Sequence, residues 1–77
     1  MAILIDFQKT REDSREVEYQ FGPMDRMDRQ LVFAKDTRES RPAAGTPQDG
    51  YYVRVVSKIL QLVESEQSWP ENGTYAA

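Results

Sequence analysis

The sequence predicts an α+β domain: a three-stranded antiparallel sheet, a β-β-β meander, with one long C-terminal helix packed on one face. Two patterns predict it. Across residues 47–67, Tyr52, Val55, Val56, Ile59 and Val63 centre an apolar stripe at helical spacing, while Arg54, Ser57, Lys58, Gln61 and Glu64 fall opposite. Residues 16–21 alternate instead with a period of two. Val17, Tyr19 and Phe21 face one side and Glu16, Glu18 and Gln20 the other, the pattern of a half-buried antiparallel strand.

The elements follow in order. Ile3, Ile5 and Phe7 alternate through a first strand near residues 2–8. Residues 9–15 are wholly polar and read as a loop, in which Thr10-Arg11-Glu12-Asp13 could cap a single helical turn. The second strand, 16–21, stops at Gly22-Pro23, because proline offers no donor to a ladder. The triplets Met24-Asp25-Arg26 and Met27-Asp28-Arg29 form a connection too short to be a repeat architecture. A third strand, near 30–35, is apolar on both faces, with Leu31 and Phe33 against Val32 and Ala34. It therefore calls for a central place or a covered back.

Residues 36–45 read as the most mobile internal segment, a polar linker holding Pro42 and Gly45. Thr46 is placed as helix N-cap and Pro47 at the first helical position. The helix spans 47–67 and fades before Trp69-Pro70, since the residue preceding proline avoids helical angles. In the tail, 68–77, Asn72-Gly73 signals a turn. The expected core joins Ile3, Ile5, Phe7, Val17, Tyr19, Phe21, Leu31 and Phe33 to Tyr52, Val55, Val56, Ile59 and Val63.

Composition narrows the chemistry. Seventy-seven residues make one small domain, 1–77, near the lower limit of what folds without a metal or disulfides. The chain has neither Cys nor His, so the usual general base, the usual metal ligand and the thiol nucleophile are all missing. Those gaps argue against an enzyme and against any cofactor or transition metal. The four glycines, at 22, 45, 50 and 73, form no phosphate-cradling loop, so no small-molecule or nucleotide ligand is implied. The apolar start, residues 1–5, lacks a basic leader and is too short to span a bilayer. The expectation is a cytoplasmic protein without a membrane partner.

Net charge is −3, and only residues 23–45 carry a basic excess, five basic against four acidic groups. There Arg26, Arg29, Lys35, Arg38 and Arg41 alternate with Asp25, Asp28, Asp36 and Glu39. Such interleaving reads as a solvated mixed-charge face, not a phosphate-binding stripe, so nucleic acid is a disfavoured partner. Asp25 and Asp28 lack the further acidic ligands of a calcium loop. Asp6, on a strand, reads as a solvated back-face carboxylate. Trp69 is either a stacking platform or, better, a lid folded over the sheet.

One feature exceeds what a small core needs. The helix stripe covers an arc of about 200°, where a little over 100° suffices for a helix on a sheet. Tyr51 and Leu62 edge one flank, Val53 and Leu60 the other. These four residues are the candidate interaction surface, offered to a protein partner or to a second copy.

The blocks REVEYQFGPMDRMDRQLVF and QSWPENGTYAA resemble a group of small actinobacterial cytosolic proteins of about this length. The resemblance implies a small bacterial protein and carries no motif with a mechanism. The leading expectation is a non-enzymatic protein-interaction module, either a homodimer or a subunit that docks on another protein. The alternatives are a nucleic-acid-associated or transcription-regulatory protein, and an acidic antitoxin or immunity-type inhibitor.

Overall fold

A computed structural model describes residues 4–23 and 26–76. The expected Ile3 core position and the Asp25 half of the aspartate pair lie outside the described residues. The α+β class holds, with one helix over an antiparallel sheet, but the sheet has five strands instead of three. In chain order these are β1 (Leu4–Glu12), β2 (Glu16–Pro23), β3 (Arg29–Ala34), β4 (Ser40–Ala43), α1 (Gly50–Glu66) and β5 (Asn72–Ala76). Across the sheet they run β4-β3-β2-β1-β5, every neighbouring pair antiparallel. The expected β1-β2-β3 meander forms its centre.

The two added strands correct two readings. Residues 36–45 are not a free linker, because Ser40–Ala43 pairs with β3. Nor is the tail a turn: Asn72–Ala76 returns beside β1, so the helix is followed by a strand and is not C-terminal. Both additions answer one physical demand. A three-stranded sheet leaves β1 and β3 with rows of unpaired N–H and C=O groups, and short flanking segments satisfy them.

The first strand also runs further than expected. Polar residues through Glu12 continue it, and no helical turn forms at Thr10–Asp13. The pairing with β2 slips between Lys9 and Arg11, a bulge at Thr10. Beyond that slip Arg11 pairs with Glu18 and Glu12 with Val17. A bulge re-aims the residues after it, which is how a strand persists where the alternation is lost.

On the helix-bearing face, Ile5, Phe7, Val17, Tyr19, Phe21, Leu31 and Phe33 meet Tyr52, Val55, Ile59 and Val63 in one buried cluster. Val56, expected in the core, is only partly buried beside it. Aromatic rings knit the layer: Tyr19 stands edge-on to Phe7 and Phe33, with centroids 5.8 and 6.2 Å apart. On the opposite face the sheet is mostly polar, apart from Leu4, 46% exposed on β1, and Val32, 4% exposed between Glu18 and Arg41 on the adjoining strands.

The helix begins three residues later than expected. Asp49 is the N-cap, accepting from the Tyr52 N–H at 3.2 Å. Thr46 is buried and used elsewhere: its Oγ1 accepts the Gln30 N–H at 2.8 Å, fastening the loop to β3. At the other end Gln67 takes a left-handed conformation and donates its N–H to the Val63 carbonyl.

Candidate interaction surface

The segment leaving the helix crosses the core face. Trp69 settles beside Phe33, ring centroids 5.1 Å apart, the expected lid. The Tyr19 hydroxyl donates to the Pro70 carbonyl at 2.7 Å, and burial pushes its ionisation well above the ordinary tyrosine value. Glu71 then accepts the Lys9 N–H at 2.7 Å and opens the ladder that becomes β5.

That bond sets which way β5 faces. Hydrogen-bonded and non-hydrogen-bonded pairs alternate in an antiparallel ladder. With Lys9 and Glu71 bonded, the register makes Phe7–Gly73 and Ile5–Tyr75 the next bonded pairs. Asn72, Thr74 and Ala76 therefore turn their N–H and C=O groups away from β1, onto the free edge of the sheet. No charged side chain and no proline occurs in β5.

The opposite edge differs. The Ala34 N–H donates to Glu39 at 2.8 Å, so by the same alternation Ser40 and Pro42 face outward on β4. Pro42 has no N–H to offer, and Arg41 brings charge to the same strand. Proline and charge are the ordinary means of blunting an edge strand. The fold thus guards one edge and leaves the other open.

Charge elsewhere is spent on holding strands together. Around the Thr10 bulge, Arg11 reaches Asp13 at 2.9 Å, Glu16 at 3.2 Å and Glu18 at 3.7 Å, while Arg41 reaches Glu16 at 2.9 Å. Lys35 reaches Glu12 at 2.6 Å. Hydrogen bonds from Lys35 and then Lys9 hold the Glu12 carboxyl below its ordinary range, and Arg41 with Arg11 does the same for Glu16. Backbone N–H groups of Arg15 and Glu16 lower Asp13. Carboxylates held ionised in this way suit cross-strand pins and are poor proton shuttles. Asp6, on the polar face, accepts the Thr74 hydroxyl at 2.7 Å.

The four sequence candidates on the helix part company. Tyr51, Leu60 and Leu62 are partly buried against the core. Arg29 lies over the Tyr51 ring at 5.0 Å. Val53 alone stays out, 60% exposed. The free β5 edge was missed in the sequence, since a five-residue strand beginning Asn-Gly carries the signal of a turn.

Shallow depressions mark the surface, one lined by Asp6, Gln8, Met27, Asn72 and Thr74 beside the open edge. Among the described residues no three acidic side chains converge on a metal position, and no helix is long and apolar enough to cross a membrane. The class defined by fold and surface is a small α+β domain, a single helix over a five-stranded antiparallel sheet with one unguarded edge. No family model, curated protein or solved structure matches the chain.

Proposed function

We propose that this chain is a small, non-enzymatic protein-interaction module that binds through the free edge of β5. One observation carries the reading: the outward N–H and C=O groups of Asn72, Thr74 and Ala76, on a strand without charge or proline, opposite an edge closed by Pro42. An extended segment added there gains main-chain hydrogen bonds at once, the strand-addition mode of recognition. The nucleic-acid alternative is weaker, because Lys35 and Arg41 are engaged by Glu12 and Glu16 and Arg29 covers Tyr51.

The test is affinity capture from host extract with tagged wild type beside Thr74→Pro. That substitution removes one outward N–H and reproduces on β5 the device found on β4. Proteins retained by the wild type and lost with Thr74→Pro support the reading. A set of retained proteins that Thr74→Pro leaves unchanged counts against the edge as the binding surface.

A further inference from the structure

We infer that the occupant of the β5 edge is a second copy of this chain, paired antiparallel strand to strand about a two-fold axis through Thr74. The inference rests on the edge reading above and adds partner and register.

The outward groups are themselves symmetric. Asn72 and Ala76 stand two residues either side of Thr74, so in an antiparallel pair Thr74 meets Thr74 of the second copy, and Asn72 meets Ala76. Each such pair exchanges two main-chain bonds, about six across the junction. The two sheets then become one. On the helix side, Gly73 falls opposite Tyr75 of the second copy, which brings that ring beside Phe7, whose own ring fills the space over the glycine. On the polar side, threonine faces threonine, each hydroxyl donating to Asp6 of its own chain.

Charge does not oppose this arrangement. No charged residue lies between Asn72 and Ala76, so none meets its own image. Asp6, bonded to Thr74, would approach its counterpart only across three strand spacings, about 14 Å, beyond the reach of unscreened repulsion at physiological salt.

The guarded edge makes the pair a closed one. A sheet with two open edges pairs at both ends and grows without limit, whereas one open edge gives a two-fold dimer and stops. Pro42 on β4 is what terminates growth. A marginal core of this size also gains from association.

The test uses charge at the axis. Thr74→Lys and Thr74→Glu each place a like charge against itself in the dimer, so each should weaken self-association roughly tenfold or more in analytical ultracentrifugation. Mixed in equal amounts, the two should form a heterodimer, because residue 74 of one chain faces residue 74 of the other. Recovery on mixing also shows that both variants are folded. In the wild type, the Thr74 amide should exchange with solvent more slowly as protein concentration rises. A wild type that stays monomeric at its solubility limit overturns the inference, as does a Thr74→Lys variant that dimerises as the wild type does. If the wild type is monomeric yet captures proteins in a Thr74→Pro-sensitive way, the edge takes a foreign strand. The module reading then stands without the homodimer.

Discussion

The Cζ atom of Phe7 sits 2.5 Å from the point where a side chain on Gly73 would begin. The two residues are paired across β1 and β5, and the aromatic ring occupies the space that the glycine leaves open. Phe7 cannot swing aside freely, being 1% exposed and edge-on to Tyr19. The edge strand is therefore tied to the core by the absence of a side chain.

Gly73→Ala should accordingly destabilise the protein by about 1–3 kcal/mol, the usual cost of overpacking. Urea denaturation measures it. In Phe7→Leu the ring is gone, so adding Gly73→Ala to that variant should cost clearly less than adding it to the wild type. Equal costs in both backgrounds would mean that the ring is not what excludes the side chain.

Tyr19 provides a second test, with a pH signature. Its hydroxyl donates to the Pro70 carbonyl from within a ring cluster, and burial is the main cause that raises its ionisation, with Glu12 and Glu71 adding to it. The ionised form is disfavoured in the folded state. The stabilisation is thus complete below the unfolded tyrosine value, about 10, and is lost as pH climbs from there towards the folded value. Tyr19 should resist ionisation in an absorbance titration until the protein unfolds. Tyr19→Phe should abolish that late step and cost about 1–3 kcal/mol at neutral pH, because the Pro70 carbonyl loses its donor. A titration curve near pH 10 that Tyr19→Phe leaves unchanged, with the fold intact, would contradict the buried hydrogen bond.

The central strands and the helix were legible because long apolar patterns specify them. Val17, Tyr19 and Phe21 declare a period of two, and Tyr52, Val55, Ile59 and Val63 a period near 3.6. The edge strands were not. Ser40–Ala43 contains Pro42, and Asn72–Ala76 opens with Asn-Gly, so local chemistry points to turns while the vacant edges of β1 and β3 impose strands. The helix start misled for a related reason. Thr46 and Asp49 are both good caps locally, and only the Gln30 N–H that Thr46 accepts decides between them. Thr10 hides the extension of β1, since a bulge erases the alternation that would reveal it. The interaction surface was half legible. Stripe width pointed to spare apolar area, but the free edge consists of backbone groups whose direction depends on register.

Val53 and Leu60 separate the two possible surfaces. The helical wheel places them on one flank as equals, whereas the structure leaves Val53 60% exposed and packs Leu60 partly against the core. Val53→Ser should shift stability by less than about 0.5 kcal/mol, as exposed substitutions do. Leu60→Ser should cost about 1 kcal/mol or more, since it forfeits the burial of a leucine packed partly against the core. Urea midpoints for the two variants, measured side by side, check the contrast. Association of Val53→Ser then distinguishes helix from edge: binding through β5 leaves it unchanged, and binding through the helix flank weakens it. Loss of association in Val53→Ser with stability intact would move the contact surface from the sheet edge to the helix.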